Sequence, residues 1–196
     1  QAMCTGAAAY GVGMTWPGVG RQYIESFARA RSEHTRRRRT TFGAQTLAAR
    51  PAGLPEITLK HVQTMTDDTG MLQHAVFSVP RYDDGYCLDD NARALLLMAL
   101  LEEAGTDNPA AVRAFASRYL AFVSHAFDRP RGRFRNFMSY ARHWLEPCGS
   151  EDSHGRALWA LGAVVGRAGD PGRQSLAGDL FHAAMPAVTT FTSPRA

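Results

Sequence analysis

The feature that most limits the fold is an acid-and-arginine pattern that occurs twice, each time at the start of an apolar segment. The two stretches read "LDDNARALLLMAL" and "SEDSHGRALWALG". Superposing Arg93 on Arg156, an offset of 63 residues (156 − 93), aligns Asp89 with Asp152. This offset is about the length of one helical hairpin with its loops, so the repeat predicts stacked hairpins of α-helices.

Helix-starting residues and apolar spacing indicate helices throughout the chain after residue 55. Asn108–Pro109 and Asp170–Pro171 each combine a capping residue with a proline suited to the first helical position. Ser153 is the expected start of the helix in the second stretch, and the helix after Asp89–Asp90 is apolar nearly all round, which predicts burial. Short and long connections alternate. We therefore predict a mainly α fold that forms part of an α/α toroid, with its long loops at one end.

Three segments differ in composition. Residues 1–31 contain one amphipathic helix, in which Tyr23 and Phe27 share a face. Residues 32–55 hold an arginine run and several glycines and prolines without periodicity, which is typical of a linker. Residues 56–196 form the predicted helical domain.

The positive charge is concentrated in one part of the chain. The net charge is +4. Residues 21–50 carry eight arginines and two glutamates, a net of +6, so the rest carries −2 (4 − 6). No aromatic residues are interleaved with the arginine run, and it matches no recognised nucleic-acid module. We therefore expect no nucleic-acid partner.

Cysteine spacing and hydropathy exclude several classes of protein. The three cysteines show no CxxC spacing, which argues against a disulfide framework and a structural zinc site, so we expect no metal. No stretch reaches the roughly 20 apolar residues of a membrane span, and no signal peptide is evident. We expect a cytoplasmic protein. Because the chain begins at Gln1 and stops after "FTSPRA", we also expect a fragment of a longer protein.

Four acids in the repeated pattern are the candidate catalytic residues: Asp89, Asp90, Glu151 and Asp152. Acids at helix starts commonly cap free amides, for about 0.5–2 kcal/mol, and that interpretation stays open for each of them. Capping alone does not explain two consecutive acids at both places. An acid and an arginine four residues apart face each other, so one acid of each pair is expected to hold the arginine. The other acid is then a general acid or base, or an acceptor for sugar hydroxyls.

Aromatic and polar side chains near these acids favour a sugar as the ligand. Flat aromatic rings suit pyranose faces, and arginine, asparagine and histidine supply hydrogen-bond donors. Two other interpretations remain: loop aromatics also serve to cover the end of a core, and a lone histidine is more often structural than catalytic. The candidate substrate-binding residues are Tyr86, Arg93, Arg135, Asn136, Tyr140, Trp144, His154 and Arg156.

Several motifs resemble those of one bacterial family of glycosyltransferase-like proteins. They read "MTDDTGMLQHAVFSVP", "GYCLDDNARAL", "RFRNFMSYARHWLE", "GSEDSHGRALWALG" and "FTSPRA". In that family a two-domain GT-B glycosyltransferase of the group 1 type precedes a helical domain related to six-hairpin glycosidases. The stretch "MTWPGVGRQYIESFARA" is similar to the closing helix of the GT-B part. The resemblance covers nearly the whole chain except the arginine-rich linker.

This resemblance implies carbohydrate chemistry, with a carbohydrate as substrate or acceptor. It implies that residues 1–31 close a truncated glycosyltransferase domain and that residues 56–196 are the first part of a six-hairpin-like toroid. A nucleotide-sugar donor would bind upstream of Gln1, so no cofactor is expected in these residues. We expect a glycosyltransferase or a glycosidase-like enzyme in the full-length protein, with the fragment alone inactive. The alternative is a non-catalytic glycan-binding or structural helical module attached to a glycosyltransferase.

Overall fold

The computed structural model describes residue 11 and residues 15–36 and 57–194, and the chain divides into two compact units between residues 56 and 57. In the first unit, helix α1 spans Trp16–Arg36. Thr15 precedes it, and its Oγ1 accepts a hydrogen bond from the Gly18 amide at 3.4 Å, which caps the helix start. The helix ends five residues beyond the predicted end at Arg31 (36 − 31). The rest of the predicted linker, residues 37–55, lies outside the described residues.

The second unit consists mainly of helices, which confirms the predicted mainly α class. Two short 3-10 helices span Tyr82–Asp84 and Met185–Thr190. The α-helices of this unit are α2 (Lys60–Thr64), α3 (Leu88–Ala104), α4 (Pro109–Ala126), α5 (Glu151–Arg167) and α6 (Pro171–Ala184). The strands, each of two residues, are β1 (Ala75–Val76), β2 (Val79–Pro80), β3 (Tyr86–Cys87), β4 (Phe127–Asp128), β5 (Arg133–Phe134) and β6 (Phe137–Met138).

Two helical hairpins, α3–α4 and α5–α6, make up most of this unit. Their turns are short, because α4 begins after Asn108 and α6 begins after Asp170. The Asn108 side chain accepts from the Ala111 amide at 3.2 Å, and the Asp170 side chain accepts from the Arg173 amide at 2.8 Å. Both predicted helix starts are confirmed, since each cap satisfies an amide that the first turn leaves without an intrahelical partner.

Helices α3 and α5 lie side by side and run in the same direction. An ion pair joins Asp89 to Arg156 near the start of both helices, and another joins Glu103 to Arg167 near their ends. Helix α3 also packs against α4, and α5 packs against α6. The first helices of the two hairpins therefore form the central pair, and their N-termini open at the same end.

The core lies between these four helices. Side chains such as Leu95, Met98 and Leu161 are fully buried in it, each stabilising the fold by roughly 1.5–3 kcal/mol. The prediction that α3 is buried on all sides is wrong, because Leu97 and Leu100 are 37% and 41% exposed. Helix α3 contacts α4 and α5 but leaves one apolar strip uncovered.

The long connections gather at the N-terminal end of α3 and α5. Strand β3, which leads into α3, pairs antiparallel with β6, in the connection before α5. Gly85 makes this approach possible: its φ is 61°, and a Cβ there would lie 2.2 Å from the Met138 carbonyl oxygen. The β3–β6 pairing therefore fixes the two helix starts in one region of the unit.

Candidate functional site

An acid–arginine cluster, defined here as Asp89, Arg93, Asp152 and Arg156, lies at the shared N-terminal end of α3 and α5. Within α3, Asp89 Oδ2 lies 2.9 Å from Arg93 Nη2. Within α5, Asp152 Oδ2 lies 3.4 Å from Arg156 Nε. Between the helices, Asp89 Oδ1 lies 2.6 Å from Arg156 Nε. The structure thus joins the two sequence motifs into one charged group.

The caps of α3 and α5 are supplied by residues other than the acids. At α3, Cys87 Sγ accepts from the Asp90 amide at 3.4 Å and lies 3.0 Å from Asp90 Oδ2, to which the thiol donates. At α5, Ser150 Oγ accepts from the Ser153 amide at 3.1 Å. The predicted start of α5 at Ser153 is therefore wrong: the helix begins at Glu151, and Ser150 is its cap.

Burial and the neighbouring carboxylate of Asp90 raise the pKa of the Cys87 thiol to about 12. The thiol form is therefore favoured well above neutral pH, and the thiol hydrogen is available for the bond to Asp90. This bond engages one oxygen of the Asp90 carboxylate. Asp90 is thus next to Asp89 of the acid–arginine cluster in the sequence, and its side chain is hydrogen-bonded to the residue that caps its own helix.

Asn136 supports the start of α3 rather than facing solvent. Its carbonyl oxygen accepts from the Leu88 amide at 2.8 Å, and its Oδ1 accepts from the Asp89 amide at 3.3 Å. The backbone amide of Asn136 donates to Glu146 Oε1 at 2.9 Å. The side chain is buried, so Asn136 holds the backbone of Asp89 in position.

Glu151 binds a later segment of the chain. Its Oε2 accepts from the amides of Thr192 and Ser193, at 3.0 and 2.6 Å. Charge-assisted bonds of this kind hold backbone strongly, since a carboxylate is a better acceptor than a neutral oxygen. Glu151 therefore anchors the segment that follows Phe191, which packs edge-on against His154 at 5.1 Å between ring centroids.

His154, in the first turn of α5, is fully buried. The Phe134 amide donates to its Nδ1 at 3.5 Å, so Nε2 carries the proton and donates to the Ala184 carbonyl at 3.1 Å. Burial lowers the pKa of His154 to about 4. The imidazole is neutral at pH 7 and ties β5 to the end of α6, which is the structural role that the sequence left open.

Tyr86 is also a buried structural residue. Its hydroxyl donates to Asp67 Oδ2 at 2.5 Å, and burial together with this carboxylate raises its pKa to about 12. Asp67 in turn accepts from the amides of Thr69 and Gly70. The pair therefore fixes the loop before β1, and Tyr86 offers no ring face to solvent.

The remaining predicted ligand residues divide into packed and exposed side chains. Arg135 lies over the Trp144 ring, 4.6 Å from its centroid, and donates to the His125 carbonyl at 2.9 Å. Tyr140 is exposed, although it stacks on Tyr82 at 4.6 Å. Arg135 and Trp144 thus brace the long connection, and Tyr140 keeps accessible ring surface.

One exposed aromatic residue near the cluster was not predicted. Trp159 is 64% exposed on α5 and follows Arg156 by three residues, which places the two side chains on neighbouring parts of one helix face. Arg93, also in the cluster, is 54% exposed. The spacing of Trp159, three residues from Arg156 and seven from Asp152, is the sequence signal that would have placed it on this face.

In the part of the chain that the structure describes, no group of three or more His, Cys, Asp and Glu side chains is arranged to hold a metal ion. Among the helices of residues 15–36 and 57–194, none has the length and hydropathy needed to cross a membrane. Comparison of the chain with protein-family models, with curated proteins and with solved structures found no match.

Proposed function

We propose that this chain belongs to a carbohydrate-active protein and that its helical unit holds a glycan at the acid–arginine cluster. The observation that carries the proposal is the contact of 2.6 Å between Asp89 and Arg156, which unites the two motifs. Guanidinium groups donate hydrogen bonds and carboxylates accept them. A sugar hydroxyl both donates and accepts, so one ring can engage both kinds of group in the cluster.

The charge balance of the cluster favours a neutral ligand. Two carboxylates, from Asp89 and Asp152, face two guanidinium groups, from Arg93 and Arg156. A site for phosphate would carry a positive excess, and a site for a cation would carry a negative excess. Charge-assisted hydrogen bonds to a neutral polyol need neither, which fits a carbohydrate.

The position of the cluster also supports ligand binding. It lies at the end of the unit where the long connections meet, away from the short turns of the two hairpins. Binding residues concentrate on such loops when rigid helices hold them in place. Arg93, at 54% exposed, supplies guanidinium donors that a ligand can reach.

The contacts of the acids favour holding a glycan over cutting it. A glycosidase places two carboxyl groups across the scissile bond, about 5–10 Å apart, with one free to move a proton. Here Asp89 contacts two arginines, and Glu151 accepts from two backbone amides. Side chains engaged in this way suit a fixed binding surface.

Transfer of sugar is the second element of the proposal, and it rests on the resemblance to glycosyltransferase-like proteins. In this account the helical unit presents a glycan acceptor or product to a sugar-transfer domain of the same protein. That domain would use a nucleotide-sugar donor. Cutting of the glycan by the helical unit is the competing activity, with Asp90 and Asp152 as its carboxyl pair.

Titration calorimetry with a panel of neutral oligosaccharides tests the binding function. Asp152→Asn should weaken binding by about tenfold or more, or about 1.4 kcal/mol, because it removes a charged acceptor while Arg156 stays paired with Asp89. Asp107→Asn, an exposed acid in the α3–α4 turn, is the matched control and should bind like wild type. Equal affinity of all three proteins, or no binding by wild type, would contradict the proposal. Hydrolysis by wild type that Asp90→Asn abolishes would establish the competing activity.

A further inference from the structure

A groove of about 840 Å³ lies along α3 and α5, and the chain from Phe181 in α6 to Phe191 lines its remaining side. It starts beside the acid–arginine cluster, where Gly155, the neighbour of Arg156, and Phe191 line it. It reaches Glu103 and Arg167 at the far ends of the two helices. Its volume lies within the roughly 300–1,000 Å³ of ordinary small-molecule sites. We call it the α3–α5 groove.

The floor of the α3–α5 groove is apolar and its two ends are polar. Leu96 and Leu100 line the α3 side, and Trp159 lines the α5 side. Ion pairs lie at both ends: Asp89 with Arg156 at one and Glu103 with Arg167 at the other. An elongated ligand that is apolar along its faces and polar along its edges matches this arrangement.

Trp159 is the large aromatic side chain that the α3–α5 groove exposes to solvent. It is 64% exposed, although a buried position is usual for an aromatic ring on a central helix of a domain. Gly162 and Gly166 follow it on the groove wall and carry no side chain that could cover the indole. A Cβ at Gly166 would have nothing within 4 Å, so the groove is open at that glycine, and a Cβ at Gly162 would lie 3.7 Å from the Phe181 ring on the opposite wall.

We propose that the α3–α5 groove binds further sugar rings of the glycan held at the acid–arginine cluster, with Trp159 stacking on one of them. This inference rests on the proposed function and adds the length of the ligand: an oligosaccharide rather than a single sugar. The C–H face of a pyranose is apolar and covers an indole well, while its edge hydroxyls remain available for hydrogen bonds. Glu103 and Arg167 lie where the hydroxyls of the last ring would need partners.

Glu151 takes part in this site as a positioning residue. Its bonds to the Thr192 and Ser193 amides hold the segment next to Phe191, which closes the groove at the cluster end. Phe191 is held from its other side by Arg133, whose guanidinium lies 4.8 Å from the ring centroid. The cluster end of the α3–α5 groove therefore has a fixed aromatic wall.

Oligosaccharides of increasing length test the inference on the full chain. The monosaccharide and the hexasaccharide of one neutral series, chosen from the panel above, are titrated into wild type, Trp159→Ala and Trp159→Phe. We expect Trp159→Ala to weaken hexasaccharide binding by about tenfold or more and to change monosaccharide binding little, because a single ring held at the cluster does not extend over the indole. Trp159→Phe should keep most of the affinity, since a flat ring remains. Val165→Ala removes an exposed apolar side chain of α5 outside the groove and should match wild type.

The outcomes separate this inference from the proposed function. Hexasaccharide binding that is the same in wild type and Trp159→Ala, with circular dichroism showing both folded, overturns the inference alone. Binding of no oligosaccharide by wild type overturns both. A wild-type dimer that Trp159→Ala converts to a monomer, in sedimentation at equal concentration, would show that a protein surface covers the groove, and would also overturn the inference.

Discussion

Arg156 Nε lies 2.6 Å from Asp89 Oδ1, across two parallel helices whose motifs are 63 residues apart (156 − 93). Each residue also has an ion-pair partner within its own helix: Arg93 for Asp89 and Asp152 for Arg156. The contact between helices is shorter than the contact within α5, so the cluster belongs to the interface of α3 and α5. It therefore links the register of the two hairpins to the geometry of the candidate site.

Double-mutant cycles should show that the contact between the helices is the stronger one. Asp89 and Arg156 are each about three-quarters buried, so alanine substitutions of this pair should give a coupling free energy of about 1 kcal/mol in urea unfolding. The Asp89–Arg93 cycle is the control. Because Arg93 is 54% exposed, its coupling should stay below about 0.5 kcal/mol. A larger coupling to Arg93 than to Arg156 would contradict the account.

Gly149→Ala should destabilise the protein by about 1–3 kcal/mol, because an added methyl group has no room. A Cβ at Gly149 would lie 2.9 Å from both Asn136 Cβ and Ser153 Oγ, and 3.0 Å from the Asn136 backbone nitrogen. Asn136 would have to move, and with it the bond to the Asp89 amide. Thermal unfolding measures the change.

Gly166→Ala is the matched control for that substitution. It lies in α5 with open space around it, so alanine should raise stability by about 0.5–1 kcal/mol through helix propensity. An unfolding temperature of Gly149→Ala that equals or exceeds that of wild type would contradict the crowding described at Gly149.

His154 should make stability depend on pH below about 6.5. Its pKa falls from 6.5 to about 4 on folding because the imidazole is buried, so the unfolded chain binds more protons in this range. The stabilisation is therefore complete above pH 6.5 and is lost as the pH falls through about 4. The lost stability amounts to about 3 kcal/mol.

Urea unfolding at a series of pH values from 7 to 4 measures this effect. His154→Gln should remove that part of the pH dependence, and His143→Gln, at an exposed position, should leave it intact. Equal slopes in wild type and His154→Gln would show that the buried imidazole is not the titrating group.

Cys87 should resist alkylation in the folded protein. Its thiol is buried and donates to Asp90, and its pKa of about 12 leaves very little thiolate at pH 8. In a variant with Cys4→Ser and Cys148→Ser, iodoacetamide should modify Cys87 about a hundredfold more slowly in buffer than in guanidinium chloride. Mass spectrometry follows the reaction. Similar rates in the two solvents would mean that the cap at α3 is open in solution.

The sequence predicted the parts of this site that depend on spacing along one helix. Acids and arginines four residues apart must share a helix face, so the pairs Asp89–Arg93 and Asp152–Arg156 could be predicted. The helix starts at Asn108 and Asp170 could also be predicted, because a capping side chain followed by proline favours a helix start whatever the rest of the fold is. The meeting of the two motifs followed from the repeat, which indicates equivalent places in successive hairpins.

Spacing along one helix does not predict contacts between segments that are far apart in the sequence. Nothing near Asn136 in the sequence shows that it supports Asp89, since the bond spans 47 residues. The sequence also left open which aromatic residues are covered: Trp144 packs under Arg135, whereas Trp159 is exposed on one of the two central helices. Which side of a central helix is covered depends on its neighbours in space, and apolar periodicity alone does not define them.

The most direct test of the central claim observes the arginine side chains while a glycan is added. In ¹⁵N NMR spectra of the full chain, the Nε–H signals of Arg93 and Arg156 should shift in proportion to saturation with a neutral oligosaccharide. The signal of Arg131, which is paired with Asp128 in the β4–β5 turn and does not belong to the cluster, should stay in place. Shifts at Arg93 and Arg156, with none at Arg131, are the predicted result. Binding that moves neither signal, or no binding of any oligosaccharide in the panel, would contradict the assignment of the acid–arginine cluster as the glycan site.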